Sequence, residues 1–275
     1  MTYTPVIPLS GYAGWKMLDR TMELQKATFV ASASIQSNDD YFRENIGKIT
    51  SAEDLVADRR LLEVALGAFG LSDDISNKFF IKKVLEEGTL SDDALANKLS
   101  DDSYAAFSKA FGFGDYATPR TVMSDFADNI LGKYKTRQFE IAVGEVNDSY
   151  RLALNVQREL PDIASKTSSE ATKWYNILAS EPLTSVFRTA LGLPSSISSL
   201  DLDQQVRAFQ EKAEAYLGSS DPAQFVDSDK LNNLVKQYLL RDSVVNGTTS
   251  TSGTSVALQI LQGSSGSSNI LSLLL

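Results

Sequence analysis

The sequence predicts an all-α, multi-helix protein, and three observations carry this prediction. First, apolar residues recur at steps of three and four along most of the 275 residues, as they do on one face of a helix. Second, Ser, Asp and Gly stand at positions where helices begin and end. Third, no segment shows the regular apolar–polar alternation that is typical of a strand.

The helical pattern is expected to start at Gly14. Residues 1–13 contain two prolines and a glycine and are expected to form an extended, mobile arm. Four large apolar residues then share one helix face: Trp15, Leu18, Met22 and Phe29. Both tryptophans, Trp15 and Trp174, lie in helical apolar patterns, so we expect them to anchor the core rather than to bind a ligand.

Acidic and hydroxyl residues mark the predicted helix starts. Asp39 and Asp40 are expected to cap one helix, while Ser51 and Asp54 have the spacing of a capping box. The helix that follows Ser51 is expected to continue through Leu66 and to end at Gly67 and Gly70. Further starts are predicted at residues 91–93, 100–102 and 221–222. Four prolines are expected near helix boundaries: Pro119, Pro161, Pro182 and Pro194.

Residues 121–160 form one long helical region with two internal glycines. Because Gly132 and Gly144 interrupt it, we expect a kink or two helices rather than one straight rod. Its predicted apolar stripe consists of Phe126, Ile130, Tyr134, Phe139, Val143, Val146, Tyr150 and Leu154.

Two pairs of similar segments indicate an internal duplication. Residues 64–76 resemble residues 186–198, and each segment predicts an apolar helix that ends at a glycine in the left-handed cap position. Downstream, residues 130–137 resemble residues 234–241 in the same order. Residues 106–113 form a partial third copy of the first motif. We therefore predict two related helical units, which are too few for a solenoid.

These patterns give an expected domain organisation. A flexible arm occupies residues 1–13, and the first helical unit with its long connecting region occupies residues 14–160. The second, related unit occupies residues 161–245. Residues 246–275 form a Gly/Ser/Thr-rich tail with short apolar segments.

The composition argues against catalysis. The chain has neither Cys nor His, so disulfides, thiolate metal sites and the usual nucleophilic triads cannot be built. The acidic pairs at 39–40, 73–74, 92–93 and 101–102 lie where helix starts or turns would place them. Residues 112–117 contain a dinucleotide-like glycine pattern, but a helical run precedes it, so we interpret it as a helix end. The sequence therefore predicts a non-enzyme that needs no cofactor or metal.

The charge balance limits the expected partners and location. With a net charge of −9 and no basic face, the chain is not expected to bind nucleic acid. No apolar run is long enough to span a membrane, and the N-terminus lacks the pattern of a cleaved signal peptide. We therefore expect a protein that is cytoplasmic, or exported without a cleaved signal peptide.

Several segments resemble a family of uncharacterised alphaproteobacterial proteins, a domain of unknown function typically encoded among flagellar genes. The resemblance covers roughly residues 40–242 and rests on residues 41–46, 54–62, 68–71, 138–147, 151–154, 174–178, 182–183 and 192–194. It implies a flagellum-associated assembly or interaction protein, and it implies no catalytic residues. The absence of Cys fits export in the unfolded state, whereas the tail departs from the long heptad-bearing termini of axial proteins.

Two kinds of partner stay open at this point. The chain is expected to bind flagellar components or further copies of itself, or alternatively to act as a chaperone-like module that binds peptides of export substrates. The tail supplies the candidate contact residues, which we expect to dock on an apolar groove of this chain or of a neighbouring copy. They are Leu258, Ile260, Leu261, Ile270, Leu271, Leu273 and Leu274.

Overall fold

The computed structural model describes residues 3–246, and this part of the chain contains helices and no strand. The α-helices are α1 (Gly11–Val30), α2 (Ala33–Asn45), α3 (Ala52–Ala57), α4 (Arg59–Phe69), α5 (Lys78–Glu87), α6 (Leu95–Lys98), α7 (Asp102–Phe111), α8 (Phe126–Val146), α9 (Asp148–Ser165), α10 (Glu170–Ala179), α11 (Glu181–Ala190), α12 (Leu202–Leu217) and α13 (Ser228–Asn246). Five 3-10 helices lie between them, at Ile46–Lys48, Ser72–Ser76, Arg120–Val122, Ser195–Ser199 and Pro222–Val226. The all-α prediction is confirmed.

The helices form two compact units. Within residues 3–246, the first unit contains the chain up to Val6 and the segment Thr21–Arg151, and the second contains Ile7–Arg20 and the chain from Leu152 to Asn246. The division falls inside both α1 and α9. Helices α1 and α9 therefore each contribute residues to both units.

The core of the first unit is the packing of α4 against α8. Leu62 and Leu66 of α4 and Ile130 and Tyr134 of α8 are buried, and burial of a leucine side chain contributes roughly 1.5–3 kcal/mol. Gly67 lies where the helices approach, since a Cβ there would be 3.0 Å from the Tyr134 ring. A small residue at this position thus sets how closely α4 and α8 pack.

The core of the second unit combines the packing of α11 against α13 with an aromatic cluster. The ring of Trp174 lies 5.3 Å from that of Phe187 and 6.0 Å from that of Phe209. Its indole N–H donates to the carbonyl of Ser220 at 2.8 Å, which satisfies the only polar group of the side chain. Trp174 is fully buried and Trp15 nearly so, which confirms that both tryptophans are core residues.

Each unit ends one of its core helices in the same way. Gly70 has φ 79° and Gly192 has φ 65°, and a 3-10 helix follows each glycine. The next residue bonds back across the cap in both cases, from Leu71 N–H to the carbonyl of Leu66 at 3.0 Å and from Leu193 N–H to that of Arg188 at 2.9 Å. These bonds are those of a Schellman cap, as the glycine motif in the sequence predicts.

An arginine from the long partner helix covers each of these glycines. A Cβ on Gly70 would lie 2.6 Å from an Arg137 guanidinium nitrogen, and a Cβ on Gly192 would collide with the Arg241 guanidinium. Arg137 belongs to α8 and Arg241 to α13. The two sequence motifs that occur in order in each half of the chain therefore meet within each unit.

Two predicted helix starts are wrong. Asp39 and Asp40 lie inside α2, and Ser32 occupies the N-cap position instead. Asp39 is instead held by an ion pair to Arg43 within α2 and by a tertiary ion pair to Lys135. Residues 91–93 form a turn, and α6 begins only at Leu95. The caps at Asp101 and Asp221 are confirmed, since their carboxylates accept the N–H groups of Ser103 and Ala223.

The single helix predicted after Ser51 is also wrong. The capping contact is present, with the Asp54 N–H bonded to the Ser51 hydroxyl at 3.1 Å. However, the chain leaves the helix at Asp58, whose backbone has φ −87° and ψ 99°. The Asp58 carboxylate then accepts the N–H groups of Arg60 and Leu61 and starts α4 as a separate helix.

The region 121–160 contains two helices, as one of the expected alternatives states, but neither glycine causes the break. The chain leaves the helical conformation at Asn147, with φ −155°. Gly132 lies in open space, whereas Gly144 provides room for the Arg151 side chain. Val146 is 41% exposed, so its assignment to the apolar stripe is wrong, while the other seven stripe residues are buried.

Two further boundaries differ from the sequence expectation. Helix α1 begins at Gly11 rather than at Gly14. Pro161 lies inside α9 instead of at its end, because the helix continues to Ser165. A proline inside a helix costs roughly 3 kcal/mol, which the burial of Leu160 and Ala164 on either side helps to offset.

We expect the glycine–arginine contact to be measurable by a double-mutant cycle. Gly192→Ala should lower the free energy of unfolding by more than Gly218→Ala, because both glycines have positive φ but only Gly192 lies under an arginine. The backbone strain alone is worth about 1–2 kcal/mol. In an Arg241→Ala background, the cost of Gly192→Ala should fall to that of Gly218→Ala, as urea unfolding would show. Equal costs of Gly192→Ala in both backgrounds would contradict the contact.

Candidate functional site

An open groove of about 700 Å³ lies in the first unit, where α2, α3 and α4 meet. Six of its eight lining residues are polar or charged, and the full lining consists of Tyr41, Lys48, Ile49, Asp54, Ala57, Asp58, Arg59 and Arg60. The break in the helix at Asp58 separates α3 from α4, and residues of both helices line the groove. The groove is the candidate functional site of the described residues.

The Asp58 carboxylate forms hydrogen bonds to several of the residues that line the groove. One carboxylate oxygen accepts the N–H groups of Arg60 and Leu61 at 2.9 and 3.0 Å, and the other accepts the Tyr41 hydroxyl at 2.7 Å. The guanidinium of Arg60 lies 4.4 Å from the centre of the Tyr41 ring. Both carboxylate oxygens of Asp58 are therefore occupied by partners within the protein.

The protonation states of the ionisable residues in the groove follow from these hydrogen bonds. Burial raises the pKa of Asp58, but the hydrogen bonds from Leu61, Tyr41 and Arg60 outweigh it and lower the pKa overall. The hydrogen bond to Asp58 raises the pKa of Tyr41, and the Ser51 hydroxyl lowers the pKa of Asp54. At neutral pH the two carboxyl groups are therefore charged and the phenol is protonated.

The basic side chains of the groove differ in their availability. Arg60 donates to the carbonyl of Ser37 at 2.6 Å and to the Asn38 side chain at 3.1 Å, and Lys48 donates to Asn45 at 2.9 Å. Arg59 is exposed and has no hydrogen-bond or ion-pair partner among residues 3–246. The groove can therefore offer the Arg59 guanidinium to a carboxylate or to another acceptor of a binding partner.

A second ionisable cluster joins α2 to α8. Asp39 is buried and forms ion pairs with Arg43 at 2.6 Å and with Lys135. Arg43 also bonds to Asp128 at 2.6 Å. Burial raises the pKa of Asp39, but the bonds from Lys135 and Arg43 outweigh it, so the pKa lies below its ordinary value. The cluster serves packing, because its charges face each other rather than a cavity.

The dinucleotide-like segment 112–117 is a helix end, as the sequence predicts. Helix α7 precedes it and ends at Gly112, which has φ 69°. A Cβ on Gly114 would collide with the backbone of Glu86 and Gly88, so this glycine allows two loops to pack closely. The Asp115 carboxylate accepts the N–H and hydroxyl of Thr89 at 2.5 and 2.8 Å. These groups are used within the protein and do not form a phosphate loop.

Within residues 3–246, no group of three or more acidic side chains is close enough to hold a metal ion. No helix in this range has the length and apolar character required to cross a membrane.

The site residues predicted from the sequence and the groove do not coincide. Leu258, Ile260, Leu261, Ile270, Leu271, Leu273 and Leu274 lie outside the described residues. The sequence does not predict the groove, because the pattern of residues 54–62 is that of one continuous helix. Asp is a preferred N-cap residue, so Asp58 was the one signal in the sequence for a new helix start at this point.

These features define an all-α protein of two helical units with a polar groove on the first. A family model described as "Protein of unknown function (DUF1217)" matches residues 68–231. The chain belongs to this family, since the match covers more than half of its length.

One solved structure shares this fold. The chain is similar to protein AGR_C_984 from Agrobacterium tumefaciens, known from an X-ray crystal structure, with 28% sequence identity and a TM-score of 0.69. The similarity covers 88% of this chain and 99% of that one. No curated protein matches the chain significantly.

We expect the Asp39 cluster to make stability depend on pH. Asp39→Asn should lower the free energy of unfolding at neutral pH by about 1–3 kcal/mol, because Lys135 loses a charged partner. Ionised Asp39 stabilises the folded state above its unfolded pKa of about 3.9, and this contribution is lost as the pH falls through the lower folded value. The difference between wild type and variant should therefore shrink below about pH 4.

The measurement is urea unfolding between pH 3 and pH 7, with Asp128→Asn as the control. Asp128 pairs with Arg43 but its side chain is 68% exposed, so its loss should matter less. A difference between wild type and Asp39→Asn that stays constant across this range would contradict the assignment.

Proposed function

We propose that this chain is a non-enzymatic interaction protein that takes part in the assembly of the bacterial flagellum. The non-enzymatic part of the proposal rests on the protonation states of the residues that line the groove. The pKa values of Asp54 and Asp58 are lowered, and that of Tyr41 is raised, so none of them is poised to exchange a proton near neutral pH. A surface of this kind offers fixed charges and hydrogen-bonding groups to a polar partner.

Exposed apolar side chains support a role in binding other proteins. Phe79, near the start of α5, is 83% exposed, and Leu90 is 73% exposed. Transferring a phenylalanine side chain from water to an apolar interface contributes roughly 1.5–3 kcal/mol. Phe79 is therefore our candidate anchor residue for a protein partner of the first unit.

The flagellar part of the proposal is supported by the sequence. Residues 40–242 resemble proteins encoded among flagellar genes, and the family match at residues 68–231 lies within this range. The absence of Cys is compatible with export in an unfolded state. The tail lacks heptads, so we place the protein among assembly factors rather than among axial components.

We also propose that the two units arose by duplication. Its support is the pair of Schellman caps at Gly70 and Gly192 and the arginine that covers each of them. Two related units would give an assembly factor two separate surfaces for its partners.

The proposal predicts that a deletion strain loses motility and normal flagella. The wild-type gene should restore both. Tyr41→Phe should also restore both, because that variant removes only the hydroxyl group that a catalytic groove would need. Phe79→Ser should restore motility poorly although the protein accumulates normally, since Phe79 is exposed and its replacement leaves the core intact.

Normal motility of the deletion strain would contradict the flagellar role, and failure of Tyr41→Phe with a folded protein would contradict the non-enzymatic role. A pull-down from the same strain separates the two kinds of partner. Hook or basal-body components support an assembly factor, whereas one stoichiometric export substrate would favour the chaperone-like alternative.

A further inference from the structure

An extended segment of the chain, residues 3–6, lies against the second half of α1. The exposure of its residues alternates, since Tyr3 is half-buried and Pro5 is buried, whereas Thr4 and Val6 are exposed. This alternation is that of an extended chain with one face on a surface. The surface on which the segment lies, which we call the α1 seat, consists of Thr21, Gln25 and Phe29.

The Gln25 side chain, which is 7% exposed, binds the main chain of this segment. Its Oε1 accepts the Val6 N–H at 2.8 Å, and its Nε2 donates to the Val6 carbonyl at 3.1 Å. The same Oε1 accepts the Tyr3 hydroxyl at 3.1 Å, and Nε2 also donates to the Thr21 hydroxyl at 2.8 Å. An amide has two donor N–H groups and two acceptor positions, so residues 3–6 fill three of the four.

Contacts that do not involve the segment keep the α1 seat in place. Thr21 lies one helical turn before Gln25 and orients its amide. The Phe29 ring packs edge-on against the Phe139 ring at 5.7 Å between centres, and the Tyr3 ring lies 6.3 Å from the same Phe29 ring. A buried amide that loses its partners is costly, so a vacated seat favours any chain that restores these bonds.

We propose that the α1 seat binds an extended, uncharged segment of a partner protein, and that residues 3–6 occupy the seat until such a partner replaces them. The two bonds from Gln25 to the main chain do not depend on side-chain identity, as in peptides that add to a sheet edge. Selectivity comes from the covered face, where an aromatic residue meets Phe29 and a proline two positions later is buried. The partner segment therefore carries an aromatic residue, a spacer, a proline and a residue with an N–H.

The short connection between the segment and α1 sets the expected affinity for a free peptide. Residues 7–10 tether the segment to Gly11, and a short tether gives a local concentration of about 1 mM. Because the tethered segment occupies the seat, the same segment as a free peptide should bind with a Kd of about 1 mM or lower. The seat shares no residue with the polar groove or with Phe79, so it adds a separate binding surface to the first unit.

Peptide binding to the full chain tests the proposal. The probe is the acetylated peptide of residues 3–8, Tyr-Thr-Pro-Val-Ile-Pro, and the readout is the NMR signal of the Gln25 side-chain amide. In the chain, Val6→Pro removes the N–H that Gln25 accepts and therefore releases the segment. Val6→Ala is the matched control, because it keeps the N–H and the carbonyl and removes only a side chain that is 63% exposed.

We expect the peptide to bind the Val6→Pro chain about tenfold more tightly than the wild-type or Val6→Ala chain, because the tethered segment no longer competes. A peptide that itself carries Val6→Pro lacks the N–H and should leave the Gln25 signal unchanged. A peptide that carries Tyr3→Ala should bind more weakly, because it loses the contact with Phe29 and the bond to Gln25.

Three results would overturn the proposal. An unchanged Gln25 signal of the Val6→Pro chain at several times the expected Kd would show that the seat takes no separate segment. Equal affinity of the wild-type and Val6→Pro chains would place the peptide at another surface. A wild-type dimer that dissociates on Val6→Pro would show that the seat exchanges residues 3–6 between copies of this chain instead of binding a partner.

Discussion

The contact of an arginine with a left-handed glycine cap is the interaction on which the two helical units depend. In the first unit Arg137 of α8 lies over Gly70, and in the second Arg241 of α13 lies over Gly192. The glycine ends the shorter helix and turns the chain, which only a residue without a Cβ does without strain. The arginine of the long helix contacts that end, beside the apolar residues buried between α4 and α8 and between α11 and α13.

In this arrangement several polar residues have structural roles, and others lie on a surface where a partner could bind. Asp39 joins α2 to α8, and Asp115 joins two loops. Asp58 starts α4 and orders Tyr41 and Arg60, so the groove beside it is a formed surface whose carboxylates are charged. Our proposal of an interaction protein rests on this distribution, since binding needs fixed donors and apolar anchors.

The sequence was sufficient where a structural feature depends on neighbouring residues. Gly70, Gly192 and Gly112 each follow an apolar helix, and Asp101 and Asp221 precede one, so their caps were predicted correctly. These features are local, because a cap involves residues within one or two helical turns.

The sequence was insufficient where the deciding partner is distant. The local sequence predicts that Asp39 is a helix cap, because its ion-pair partner Lys135 is far away in the chain. Asp58 reads as part of one helix, although the Tyr41 hydroxyl helps to fix it as a break. Pro161 reads as a boundary, but burial of its neighbours keeps α9 intact. The groove depends on the distant contact of Tyr41 with Asp58 and therefore could not be located from spacing.

Amide hydrogen exchange on Arg137→Ala and Arg241→Ala tests the glycine–arginine account most directly. The account predicts that Arg137→Ala speeds exchange in α4 and α8, and that Arg241→Ala speeds it in α11 and α13. An increase of about tenfold would correspond to about 1.4 kcal/mol. Arg207→Ala, which removes an exposed arginine of α12, should leave the exchange of these helices unchanged. Protection of both helix pairs equal to wild type in the Arg137 and Arg241 variants would contradict the account.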